Sequence, residues 1–125
     1  MTIIAALLLF GVIVLIHEFG HFIFAKKNGV TVHEFALGMG PKLFGKEVNG
    51  TMYSVRILPI GGFCAMEGED EDSDKAGSFG RKSILQRASI IFAGPFFNLI
   101  LAVLFLIPVF IYIGSPTTTI DEVVD

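Results

Sequence analysis

The chain has 125 residues, a formal net charge of −3 and 53% hydrophobic residues, with a mean hydropathy of +0.72. That balance excludes an ordinary soluble domain; the net charge says little about partners, because the acidic residues are concentrated in one patch, and no nucleic-acid partner is expected. Cys64 is the single cysteine, which excludes an intrachain disulfide and leaves a free thiol.

The first element is a nearly unbroken apolar run over residues 3–25. Its length of about 23 residues exceeds the roughly 20 that span a bilayer as a helix. It has no basic leader and runs into Lys26-Lys27 instead of a small-residue cleavage site, so it reads as a retained helix and not as a signal peptide. Inside it lies His17-Glu-Phe-Gly-His21. On a helix His17 and His21 share one face, so both imidazoles can reach one metal ion. Zinc suits the pair, and the carboxylate of Glu18 can act on water activated by the ion. Ionisable groups inside a membrane segment are costly and need a reason. The plainer alternative is an anchor whose histidines hydrogen-bond to a neighbouring helix.

Gly29 ends this helix. Residues 30–37 read as a short strand that Gly38-Met-Gly-Pro41 breaks. Residues 42–48 and 51–58 flank Asn49-Gly50, the strongest short hairpin signal, and residues 59–63 leave the hairpin through a flexible turn. So small a sheet needs the membrane surface or the helices to pack against. His33 falls in the first strand and reads as structural or exposed. The acidic run from Glu67 to Asp74 reads as a solvated, mobile loop without the spacing of a calcium loop. Residues 79–87 form a basic amphipathic approach to a second apolar segment, near 88–113 and about 26 residues long. In that segment Pro95 invites a kink, Gly94 permits close helix approach, and Asn98 is a buried amide suited to interhelical hydrogen bonding.

All nine Lys and Arg residues lie between Lys26 and Arg87. The positive-inside rule therefore places the loop 26–87 in the cytoplasm and both termini outside, in a multi-pass protein of the cell (inner or plasma) membrane. The expected fold class is membrane α-helical: two transmembrane helices joined by a cytoplasmic-side loop that contains a small β-hairpin or sheet. The expected units are 1–27, the first span with the metal motif; 28–87, the membrane-associated β region, acidic loop and basic approach; 88–113, the second span; and 114–125, a linker and the start of a further domain.

Together, His17-Glu-Phe-Gly-His21, Glu34-Phe-Ala-Leu-Gly-Met-Gly-Pro41, Arg56-Ile-Leu-Pro-Ile-Gly-Gly-Phe63 and Gly94-Pro-Phe-Phe-Asn98 resemble the site-2 protease family of intramembrane zinc metalloproteases, in its bacterial RseP-like branch. The resemblance covers nearly the whole chain. It implies that His17 and His21 ligate Zn2+, that Glu18 is the catalytic acid/base, and that Asn98 handles the substrate segment. It also implies that the hairpin engages substrate, that the segment after Ser115 leads into an extracytoplasmic PDZ domain, and that the substrates are transmembrane segments of single-span regulators or remnant signal peptides. The family's third ligand is an aspartate in a later helix, which is expected beyond Asp125, so the chain reads as part of a longer protease. Two other classes stay open at this point: a transporter or metal-binding membrane protein using intramembrane His and Glu, and a non-catalytic anchor or assembly subunit.

Overall fold

The computed structural model describes residues 1–114. Helix α1 (Thr2–Lys27) leads into two long strands, β1 (Val32–Val48) and β2 (Thr51–Met66), then a 3-10 turn (Phe79–Arg81) and helix α2 (Ile84–Ile113). Two long apolar helices thus bracket a two-stranded antiparallel sheet.

Helix α1 is apolar all round, and glycines decide which of its faces meet which neighbour. A Cβ on Gly11 would stand 3.2 Å from the Pro59 carbonyl oxygen, and one on Gly20 would stand 2.8 Å from the Ala93 carbonyl carbon. Nine residues at about 100° each set Gly11 and Gly20 on opposite sides of the helix. One side therefore lies on β2 and the other crosses α2 at Ala93-Gly94. Close backbone approach through small residues is how helices pack where no water drives them together.

The strands continue where the sequence predicts interruptions. The sequence predicts a break in the first strand at 38–41, yet β1 runs through it, because Gly38 and Gly40 take φ of +85° and let the strand bend without losing its partner. Likewise 59–63 is strand and not a flexible turn, with β2 passing through Gly61 at φ +72°. The predicted turn is present: Asn49 and Gly50 have φ of 51° and 79°, as a two-residue hairpin loop requires. The bends fold the hairpin back on itself. Residues 34–37 pair with 62–65 on one side and with 52–55 on the other, and 42–48 pair with 51–56 beyond them, so four short ribbons lie side by side.

Arg56 holds the bend. Its guanidinium donates to the Gly40 carbonyl at 2.7 Å and to Glu34 Oε1 at 2.7 Å, and it lies 4.9 Å from the centre of the Phe63 ring. Ser54 Oγ donates to the same Glu34 oxygen at 2.5 Å. Burial pushes the Glu34 carboxyl upward, but Ser54 and Arg56 outweigh it and hold the group below the usual carboxylate range.

The core sits where the four elements meet. Ala25, Val30, Val32, Cys64 and Ile90 are buried there, with Phe22, Phe35 and Phe79 packed around them. Lys26 Nζ donates to Thr51 Oγ1 at 2.6 Å, whose hydroxyl donates to the Val32 carbonyl at 2.8 Å, pinning the end of α1 to the hairpin. Asn28 Nδ2 donates to Ser89 Oγ at 3.2 Å and ties the same end to α2.

Helix α2 starts four residues before the predicted 88, at Ile84. A reciprocal capping box supplies the reason: Ser83 Oγ accepts from the Gln86 N–H, and Gln86 Oε1 accepts from the Ser83 N–H. The basic approach is therefore split between the 3-10 turn and the first turn of α2. The helix continues through Pro95 and Pro108. The acidic loop is anchored at its base: Glu67 takes hydrogen bonds from Ser73 Oγ and His33 Nε2, its N–H donates to the Thr31 carbonyl at 2.9 Å, and its carbonyl accepts from the Phe79 N–H at 2.7 Å. His33 is thus a surface partner of Glu67, 53% exposed. The expected start of an extracytoplasmic domain falls on 115–125, outside the described residues.

Candidate metal centre

The helical screw sorts the motif onto two faces. Counted from Gly20 at about 100° per residue, His17 and His21 fall on the α2 side, whereas Glu18 falls within about 20° of Gly11, on the side that packs against β2. The two histidines and the carboxylate therefore line the junction of α1, α2 and the end of the sheet.

The histidine rings meet edge to face, their centroids 4.7 Å apart. A Cβ at Gly94 would stand 2.5 Å from His21 Nε2 and 2.7 Å from His17 Nε2. Both Nε2 atoms thus reach the same small space, and that space exists because residue 94 has no side chain. The other ring nitrogens are held by α2. His21 Nδ1 lies 2.7 Å from the Ile90 carbonyl oxygen, which can only accept, so His21 carries its proton on Nδ1 and presents a lone pair on Nε2. His17 Nδ1 lies 3.3 Å from Asn98 Nδ2, and Asn98 Oδ1 is buried without a partner. A histidine braced through one nitrogen and free at the other is the form that ligates a metal. The donor set fits zinc, which binds neutral imidazole nitrogen at about 2.0–2.1 Å.

Sequence reasoning named His17, Glu18, His21 and Asn98, and the structure brings the histidines and Asn98 together across the helix crossing. Glu18 reaches the junction from the sheet side, where its charge, with that of Glu69, helps push up the Cys64 thiol. Burial is the larger cause, and the thiol rises to about 12, which makes Cys64 an inert packing group. One participant was not singled out. The Ile90 carbonyl carries no side-chain signal. Glu69, in the acidic run, is exposed as the sequence suggests, and its carboxyl is raised: partial loss of solvent and the charges of Asp70 and Glu18 outweigh a bond from the Met66 backbone and the charge of His21. Among the described residues no group of three or more His, Cys, Asp or Glu could hold a metal.

A two-histidine centre on a helix, braced by a second apolar helix and flanked by a carboxylate beside a bent hairpin, defines a metallopeptidase-like class of architecture. The chain belongs to peptidase family M50, the site-2 proteases, whose model matches residues 5–124. It is 48% identical over 124 residues to a candidate zinc metalloprotease of Clostridium perfringens, covering 99% of this chain and 37% of that one. It is 54% identical over 101 residues to a counterpart from Clostridium acetobutylicum, covering 81% and 30%. Zinc metalloprotease RasP of Shouchella clausii is 52% identical over 71 residues, covering 57% and 17%. The chain thus spans little more than a third, or less, of the length of these relatives.

Proposed function

We propose that this chain is the amino-terminal catalytic portion of a zinc-dependent intramembrane endopeptidase, with His17 and His21 as two zinc ligands and Glu18 as the acid/base. The observation that carries this reading is the convergence of both Nε2 atoms on the space left by Gly94, with at least one Nδ1 fixed by α2. The remaining protein ligand comes from outside the described residues, and the aspartate of a later helix is the expected one.

When bound, zinc supplies a Lewis acid that makes water nucleophilic near neutral pH. Glu18 accepts a proton from the attacking water as its oxygen bonds to the scissile carbonyl carbon, then delivers that proton to the amide nitrogen as the C–N bond breaks. A substrate in a transmembrane helix has its carbonyls engaged and must be unwound locally to be attacked. The sheet edge can hold such a segment extended by strand addition, and the Asn98 amide can meet backbone groups that unwinding frees. The proposed substrates are transmembrane segments of single-span regulators or remnant signal peptides.

Two features support the membrane setting. Helices α1 and α2 are long and apolar enough to cross a bilayer, and of their most apolar 18-residue windows only 11% and 0% is buried. All nine basic residues lie in the last turn of α1, between the helices or in the first turn of α2, which supports a cytoplasmic segment 26–87 with both ends of the chain outside. The lipid bilayer is then the second partner. A linker from 114 into an extracytoplasmic domain belongs to the same reading.

The test uses the full-length protein. His17→Ala and His21→Ala are expected to lose zinc and cleavage together. Glu18→Gln is expected to keep zinc and lose cleavage by about 10²–10⁴-fold, the usual weight of a positioned acid/base. Zinc-free wild-type protein whose proteolysis ignores chelators would defeat the proposal, and ion flux altered by Glu18→Gln without any cleavage would point to a transporter. If Asn49→Pro with Gly50→Val leaves cleavage unchanged, the strand-addition part fails.

A further inference from the structure

We infer that Asn98 is a positioning residue for the metal centre: its carboxamide oxygen accepts the Nδ1 proton of His17 and fixes that ring with its Nε2 lone pair facing the space beside Gly94. The inference rests on the zinc reading above and adds a role to a residue whose expected task was substrate handling.

The chemistry of each ring's partner decides its tautomer. The Ile90 carbonyl leaves His21 no choice, since a carbonyl oxygen never donates. His17 faces an amide, which can present either end. With Nδ2 toward the ring at 3.3 Å, His17 Nδ1 must accept, its proton goes to Nε2, and that N–H points at the space His21 Nε2 also faces. One lone pair and one N–H would then share a place built for two lone pairs. In the same orientation Asn98 Oδ1 is buried with no donor. Rotating the carboxamide by half a turn exchanges nitrogen and oxygen without changing its shape. Oδ1 then accepts from His17 Nδ1–H, and both rings present Nε2 to the same space. The two helices contribute alike: a backbone carbonyl of α2 braces His21, and a side-chain carbonyl two turns further along α2 braces His17.

The rotation also fixes where the amide hydrogens go. Nδ2 takes the former buried place of Oδ1, on a residue that lines an apolar groove between the helices with Leu9, Ile13, Leu101 and Phe105, of volume about 160 Å³. One end of the side chain thus serves the ring, and the other is a buried donor. Positioning and substrate contact become separable functions of one amide.

Zinc affinity of the full-length protein, measured by competition with a chromophoric chelator, separates them. Asn98→Asp keeps an acceptor for Nδ1–H and is expected to hold zinc within about threefold of wild type. Asn98→Leu keeps the volume, removes the acceptor and is expected to weaken zinc by about 10–100-fold, the usual effect of removing a group that orients a ligand histidine. Wild-type affinity in Asn98→Leu, or equal weakening in both variants, overturns the inference. The native chain gives an independent measurement should the leucine variant misfold. In zinc-loaded protein with ¹⁵N-histidine, the His17 ring, assigned by its absence in His17→Gln, is expected to carry its proton on Nδ1. An unprotonated His17 Nδ1 overturns the inference, whereas wild-type protein that binds no zinc removes the reading beneath it.

Discussion

A methyl group at position 94 would stand 2.5 Å and 2.7 Å from the two Nε2 atoms, well inside van der Waals contact, so Gly94→Ala is expected to empty the centre of zinc while leaving α2 helical. Metal analysis of the full-length variant, alongside circular dichroism, checks this. A second prediction concerns acid. Ser54 and Arg56 hold the Glu34 carboxyl below its ordinary value of 4.5. A carboxylate depressed on folding stabilises the fold above its unfolded pKa, and that stabilisation is lost as pH falls through the folded one. Glu34→Gln is therefore expected to cost about 1–3 kcal/mol at pH 7, because it also leaves a half-buried guanidinium short of a partner. The difference in Tm from wild type should shrink as pH drops below 4.5. At this scale the motif was legible because His-Glu-x-x-His names its own chemistry. Gly94 was legible only as a place where helices approach, since a glycine shows the room it makes and not what fills it. Ile90 was invisible, because its part is played by a backbone oxygen that every residue possesses.

Among the elements, the helices and the Asn49-Gly50 turn could be read directly, since run length and turn chemistry are local. The course of the sheet could not. Gly38-Met-Gly-Pro41 and Pro59-Ile-Gly-Gly look like interruptions, and only the pairing of 34–37 with ribbons on both sides turns them into bends. The early start of α2 was readable in principle from Ser83 and Gln86, three residues apart. Ser83→Ala is expected to cost about 1 kcal/mol and to fray the first turn, seen as faster amide exchange near Leu85 to Arg87. Gly20 bears on the helix crossing. A side chain there meets the Ala93 backbone, which cannot yield as a flexible side chain would. Gly20→Val is expected to push α1 from α2, costing about 1–3 kcal/mol and the metal with it, by thermal unfolding and zinc content.

For the whole molecule, the layout follows from where charge is absent as much as from where it is present. With every Lys and Arg in the stretch from Lys26 to Arg87, a cysteine replacing Asp70 in a Cys64→Ala background of the full-length protein should react with a membrane-impermeant thiol reagent only from the cytoplasmic side. Labelling from the opposite side would invert the proposed orientation. The chain order and the family were readable from four separated motifs. The sharing of labour between the helices was not, because it depends on contacts across most of the chain.

His21 leans on Ile90, 69 positions later, and His17 meets Asn98, 81 positions later. A chain synthesised only as far as the first helix has made both imidazoles but nothing to steady them. On the zinc reading proposed above, capture of the ion is thereby deferred until the second helix has been made.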